Sequence, residues 1–549
     1  MKTLACLLTI FVGLGASHPH SSLASRAATF NNPVLWEDYP DLDVFRIGDV
    51  FYYSSSTFAY SPGAPVLKSY DLVNWTAVTH SVPKLNFGPQ YDLLGGTPAG
   101  YVKGIWASTL RYRRSNDRFY WYGCVEQNQT YIWTSSGTNA GVNNGEVPPY
   151  KWKWEAHPPI NACYYDSGLL IDDDDTMYIA YGNPTIRVAQ LSADGLRQVR
   201  TQAVYTPPAG TTIEGSRMYR VKGTYYILVT RPADAEWVLK STTDSPFGPY
   251  TARTLVSRIN GPLANAGFAH QGGMVDTPDG SWFYVAFMDA YPGGRIPVVA
   301  PLRWTSDGWP EVVTDARGNW GTSYPVPVHT SKTVEGKSTE LDEFKGKELS
   351  HHWEWNHNPD DSKWLLHGDG LLLRTASVTG NLFAARNTLT RRIAGPKSRG
   401  TFKLDVGNMK DGDRAGVVLF RDRAAYIGVW KQGGLVQIVV VDDLRLTEGT
   451  WTTSSTGRVA ATGPTVSNTQ DVWLIIEADI TPAFGTSTER TTTFAYSIDG
   501  GKSFVRFGPA VVMTNSWRYF SGYRFGVFNF ATKALGGAIK VKSFQMELV

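Results

Sequence analysis

Three carboxylates in the first half of the chain stand in matching local settings. Asp41 in YPDLDVFR, Asp166 in CYYDSGLLI and Glu214 in TTIEGSRMYR each lie just before, or at the start of, an apolar run that reads as a β-strand. Carboxylates brought together have a definite chemistry: one that keeps its proton releases a leaving oxygen as a general acid, while an ionised one activates water or attacks carbon. Cleavage of a glycosidic bond needs that pairing. A third negative charge nearby raises the pKa of the acid by like-charge repulsion and keeps its proton available near working pH. Singly, each residue reads as a cap or turn residue; the shared placement is what points to a site.

Residues so far apart in sequence converge only if the chain returns repeatedly to one place. The segments DVFRIGDVFYYSSS from Asp43, STLRYRRSNDRFYWYGC from Ser108, SGLLIDDDDTMYIAYG from Ser167, SRMYRVKGTYYILVT from Ser216 and GGMVDTPDGSWFYVAFM from Gly272 repeat one plan. Each is an apolar run, a polar Gly/Asp/Asn turn and a second run rich in Tyr, Phe, Val and Ile, which is the signature of a hairpin. Several continue into a third strand, as in APVLKSYDLVNW and EWVLKSTTDSPFGPY. Five such units, about fifty to sixty residues apart and without helical periodicity, predict a five-bladed β-propeller, with a long sandwich of hairpins as the alternative. In a propeller the innermost strand of every blade begins near one end of the central axis, where Asp41, Asp166 and Glu214 would meet. The run Asp172 to Asp175 falls in a hairpin turn and reads as a solvated turn, not a metal site.

Asp43 follows Asp41 by two positions. A strand rises about 3.3 Å per residue, so the two carboxylates stand roughly 6 to 7 Å apart and only one can be aimed at a water. Asp41 directly follows Pro40, which stiffens the approach to the axis, whereas Asp43 lies deeper, where strand pairing and the neighbouring blade should occupy it.

After GWPEVV the repeat stops. Residues 314–340 are rich in Gly, Pro, Ser and Thr and read as a linker or strap. From Leu341 a different cadence of short alternating strands begins, including GLLLRTAS, GTFKLDVG, AGVVLFRD, LVQIVVVDD and DVWLIIEADI, and it predicts a β-sandwich. The expected organisation is all-β: a signal peptide over residues 1–17, a propeller over 28–320, a linker over 321–340 and a sandwich over 341–549. The sandwich shows no nucleophile constellation and reads as structural or sugar-binding.

The 549 residues carry 52 Lys and Arg against 49 Asp and Glu with no basic run or stripe, which argues against a nucleic-acid partner. The 19 Trp and 28 Tyr suit either the packing of large β-structures or the stacking of sugars. MKTLACLLTIFVGLGAS has the charge, apolar run and small residues of a secretory leader and is too short to span a bilayer. No later stretch is apolar enough to span one, so a soluble, extracellular monomer is expected. Cys124 and Cys163 remain after the leader, with their pairing left open. Asn74-Trp75-Thr76 and Asn128-Gln129-Thr130 are glycosylation sequons.

In order along the chain, PDLDVFRIGDVFYY, GIWAS, YDSGLLIDDDDTMYIAYG, IEGSRMYRVKGTYYIL and HQGGMVDTPDGSW resemble glycoside hydrolase family 43, from Asn31 to about Pro310, and the segment from Leu341 is similar to the β-sandwich appended to its xylosidase and arabinofuranosidase members. The resemblance implies an inverting hydrolase with Asp41 as general base, Glu214 as general acid and Asp166 as the residue that modulates the pKa of the acid. Leu42 and Ser167 stand where the family commonly has proline. It further implies that Arg295 in GGRIPVVAP and Trp106 in KGIWAS face the sugar, and that His270 in FAHQGG lies on the propeller axis, where some members hold a calcium or similar ion through water. No cofactor is expected for the chemistry. The expected substrate is arabinoxylan or a xylo-oligosaccharide, with release of L-arabinofuranose side chains; an exo-β-1,4-xylosidase and a non-catalytic, lectin-like carbohydrate-binding protein are the alternatives.

Overall fold

The computed structural model describes residues 28–138, 152–467 and 471–549. The leader expected over residues 1–17 lies outside them. Five antiparallel four-stranded sheets succeed one another along the chain. Their innermost strands are Asp43–Ile47, Thr109–Arg113, Gly168–Ile171, Glu214–Val221 and His270–Asp276, and in each sheet sequence order is also spatial order. These are the blades of a five-bladed β-propeller.

The hairpins arise locally. In the fourth blade Val221 pairs with Thr224 across Lys222 and Gly223, whose φ of 50° and 83° give the left-handed two-residue turn that matches strand twist. Every blade ends in a fourth strand beyond those foreseen, such as Glu155–Ile160 and Gln198–Tyr205. Cys124 in the second blade is disulfide-bonded to Cys163 in the segment leading to the third. The strand Thr29–Asn31 pairs with Ser323–Pro325, so the start of the described chain and the segment leaving the last blade tie each other down.

The acidic turn after Ile171 is less solvated than its composition suggests. Asp173 and Asp174 are exposed, but Asp172 is buried and accepts from Tyr225 Oη at 2.5 Å and Arg220 Nη1 at 3.0 Å in the fourth blade. Asp175 takes Arg113 of the second blade, 3.0 Å from its Nε. These carboxylates fasten the third blade to both neighbours.

Residues from Trp353 onward form two large antiparallel sheets around one apolar core that includes Trp353, Phe402, Leu474, Phe525 and Phe544. The boundary between the two units is interleaved. Tyr60–Ser61, inside the first blade's excursion, pairs with Trp355 and Asn356 and so becomes the edge strand of a sandwich sheet. Below this contact lies a buried charge cluster: Glu354 accepts from Arg524 Nη1 at 2.6 Å and Arg392 Nη1 at 2.8 Å, and His80 Nε2 of the first blade stands 3.1 Å away.

Candidate active site

Asp41 lies just outside the first innermost strand, with φ of 55°. The left-handed turn separates its direction from that of Asp43, which begins the strand. Its Oδ1 accepts from Arg295 Nη1 at 2.5 Å and its Oδ2 from Ser56 Oγ at 2.7 Å. Asp43 is fully buried and turned to the second blade. Its Oδ2 accepts from Thr109 Oγ1 at 2.7 Å and Leu110 N at 3.0 Å and pairs with Arg111 Nη1 at 2.6 Å.

Asp166 also takes a left-handed conformation, φ 51°, before the third blade, and its backbone carbonyl accepts from Ser216 N at 2.8 Å. Glu214 opens the fourth blade. Its Oε2 accepts from Asn183 Nδ2 at 2.5 Å and from Tyr165 Oη at 3.4 Å. Gly215 follows with φ of 69°, and a Cβ there would stand 2.9 Å from Gln271 Cγ and 3.0 Å from Thr230 Cγ2. The glycine after Glu214 therefore reflects the close approach of Gln271 of the fifth blade and Thr230 of the fourth.

Arg217, overlooked in the sequence, joins the starts of three blades. Its guanidinium donates from Nη2 to Asp41 O at 2.9 Å, from Nε to Leu42 O at 2.8 Å, and from Nη1 to Ser167 O at 2.6 Å and Ser216 O at 2.8 Å. A fixed fork of donors suits this task better than a lysine would. One buried side chain thus sets the relative positions of the backbone segments that carry Asp41, Asp166 and Glu214. Its sign in the sequence is an arginine three positions after Glu214, inside the apolar strand run.

The electrostatics follow from that convergence. The Asp166 carboxyl is pushed well above the usual range, first by burial, then by the charges of Glu214 and Asp41, against the pull of Arg217. Glu214 is raised by burial and by Asp41, opposed by the Asn183 hydrogen bond. Like charges that repel in a poorly solvated site hold protons more tightly.

Arg295 is nearly buried beside Asp41, with Asp289 Oδ1 3.6 Å from its Nε. Its guanidinium lies 5.1 Å from the Phe287 ring centre and 5.0 Å from that of Phe520, a sandwich residue. The sandwich therefore contributes to the surroundings of the site. Trp106 donates from Nε1 to Val102 O at 3.0 Å and meets Tyr165 edge to face at 6.1 Å, one residue removed from Glu214. His270 is buried, its ring against Phe287 at 4.6 Å and its Nδ1 2.9 Å from Phe268 O; burial depresses its pKa. Among the described residues no group of three or more His, Cys, Asp or Glu side chains converges as a ligand set. A hard cation takes six to eight oxygens, so an ion beside His270 would take most of its ligands from water, as the resemblance implies.

The profile of glycosyl hydrolases family 43 matches residues 30–310, and that of the β-xylosidase C-terminal concanavalin A-like domain matches residues 341–547. The chain belongs to glycosyl hydrolase family 43. Among solved family 43 structures, one described as an engineered enzyme displaying both endo-xylanase and exo-arabinofuranosidase activity is 74% identical, with 95% of this chain and 100% of that chain covered and a TM-score of 0.93. A β-xylosidase of Formosa agariphila is 27% identical over 94% of this chain and 90% of its own length. The non-reducing end α-L-arabinofuranosidase BoGH43B of Bacteroides ovatus is 27% identical over 77% of this chain and 78% of its own. This family 43 chain is thus a glycosidase whose propeller carries the convergent acids and whose second domain is the concanavalin-like sandwich.

Proposed function

We propose that this family 43 glycosidase is a secreted, inverting α-L-arabinofuranosidase that releases L-arabinofuranose side chains from arabinoxylan. The observation that carries the chemistry is the meeting of Asp41, Asp166 and Glu214 at the axial ends of three blades, with their backbones joined by Arg217. Asp41, ionised and oriented by Arg295 and Ser56, takes a proton from the attacking water. Glu214 protonates the leaving oxygen. Both of its hydrogen-bond partners engage Oε2, which leaves Oε1 to carry that proton. Asp166 adds the repulsion that makes the last proton of the Asp166–Glu214 pair harder to lose. Arg295 and Trp106 line the sugar pocket, the first as a donor fork for hydroxyls, the second as a ring wall behind Tyr165.

The arabinofuranosidase reading leans on the 74% identical structure described with exo-arabinofuranosidase activity. Exo-β-1,4-xylosidase is the second reading, favoured by the F. agariphila β-xylosidase, which aligns over 94% of this chain. Secretion is supported by the disulfide between Cys124 and Cys163 and by the exposure of Asn74 and Asn128 in their sequons. Comparing turnover of aryl α-L-arabinofuranoside and aryl β-D-xyloside separates the two activities. Proton NMR of the product from arabinoxylan then gives the linkage cut and the anomer first released; a dominant xyloside activity, or a retained anomer, overturns the assignment.

A further inference from the structure

The sandwich sheet that does not carry the Tyr60–Ser61 edge has a groove on its outer surface, far along the chain from any residue of the catalytic site. Its floor is one cross-strand row, Gln545, Thr401, Ile475, Ala495 and Arg506, which are successive partners across five neighbouring strands. Adjacent strands lie about 4.8 Å apart, so the row runs for about 19 Å. The central three residues of this row are shorter than their flanks, and that difference makes the concavity, about 510 Å³ in volume. On one side the Arg399–Glu477 pair forms a wall, with Nη2 and Oε1 2.5 Å apart. On the other stands Trp473, whose indole ring centre lies 4.8 Å from Lys403 Nζ, and Phe504, 43% exposed, also lines the groove.

The chemistry of this lining selects its ligand class. Arg399 and Arg506 balance Glu477 and Glu547, so the groove offers no net field to a polyanion or polycation. The Trp473 Nε1–H, the Thr401 and Thr493 hydroxyls and the Arg506 guanidinium have no hydrogen-bond partner among the described residues, and Trp473 and Phe504 add aromatic surface on one side. A few orienting polar groups beside aromatic surface, along a straight cross-strand row, suit a neutral, linear, polyhydroxylated chain. Resting on the arabinoxylan reading above, we propose that this groove is a second carbohydrate site that holds the unsubstituted xylan main chain while the propeller works on a side chain elsewhere on the polymer.

The test is affinity electrophoresis of the full-length protein in gels containing linear, arabinose-free xylan, alongside turnover of an aryl α-L-arabinofuranoside. Retardation of the wild-type protein is expected, weakened about tenfold in Trp473→Ala, as for loss of one aromatic anchor. Ala495→Arg, which fills the floor and leaves the walls intact, should weaken it as much, and both variants should turn over the aryl substrate at the wild-type rate. Thermal melts coincident with wild type exclude unfolding as the cause. If the wild-type protein cleaves the arabinofuranoside but is not retarded, or if both folded variants are retarded as strongly as wild type, the groove assignment is overturned. Equal retardation in a cellulose-type β-glucan gel overturns the choice of xylan. If the aryl arabinofuranoside is not cleaved at all, it is the arabinofuranosidase reading that fails, and xylan retardation still decides the groove.

Discussion

Replacing Asp43 and Asp41 separately by asparagine tests which of two neighbouring carboxylates is the base and which is a fastener. Asp43 is fully buried, accepts from Thr109 and Leu110, pairs with Arg111 at 2.6 Å, and has Arg217 Nε 3.7 Å from its other oxygen. In Asp43→Asn the amide oxygen keeps Thr109 and Leu110 only by turning its NH2 toward Arg217, a donor facing a donor. The buried Arg217 and the partly buried Arg111 guanidiniums then lose this counter-charge. Breaking a buried pair from one side costs about 3–5 kcal/mol. At about 2 °C per kcal/mol for a large cooperative unit, the melting temperature should fall by about 6–10 °C. Activity should persist below the transition. In Asp41→Asn the amide still accepts from Ser56, and Arg295 keeps Asp289 at 3.6 Å and its two aromatic rings, so the fold should lose no more than about 1–2 kcal/mol. Turnover, however, should fall by about two to four orders of magnitude, the contribution of a general base. The assays are a calorimetric melt and kcat/KM on aryl arabinofuranoside at a temperature where both variants are folded. An Asp43→Asn protein that melts like wild type yet is inactive, beside an active Asp41→Asn, would refute the assignment.

Glu214→Gln should lose about two to four orders of magnitude on arabinoxylan and far less on substrates whose leaving group needs no proton, as measured by kcat on natural and activated substrates; equal losses would make Glu214 structural. Asp166→Asn removes one like-charge neighbour, so Glu214 should lose its proton at lower pH and the alkaline limb of the kcat/KM profile should move to lower pH; lower activity with an unmoved limb would make Asp166 a positioning residue. Glu354→Gln should cost about 3–5 kcal/mol in denaturant unfolding, because Arg392 and Arg524 are left buried without their carboxylate. Burial alone would raise the Glu354 pKa, but Arg392 and Arg524 overrule it and hold it well below the usual range. Its stabilisation is therefore complete above the unfolded carboxylate value of about 4.3 and is lost only as pH falls toward the lower folded value, a dependence that melts of wild type and variant between those limits should separate.

The blades were legible because a hairpin is local. Alternating side chains and a glycine turn such as Lys222-Gly223 lie within a dozen residues of each other and leave a period in the sequence. Repetition of that period implied an axis, and the axis implied that acids at the starts of separate blades meet. The sequence by itself therefore determined the propeller, the change of cadence at the sandwich and the placement of Asp41, Asp166 and Glu214 at the starts of their blades. Tertiary structure alone decided how those acids are held. Arg217 reaches Asp41 O across 176 positions, Gly522 N reaches Asp38 Oδ2 across 484, and Phe520 of the sandwich comes to the guanidinium beside Asp41. It also decided that Cys124 pairs with Cys163, that Asp172 is buried in what read as a solvated turn, and that Tyr60–Ser61 completes a sandwich sheet. Such contacts are made by single side chains or by short strands whose partners lie hundreds of positions away. They impose no period on the local sequence, and their geometry exists only once the blades have closed and the sandwich has docked.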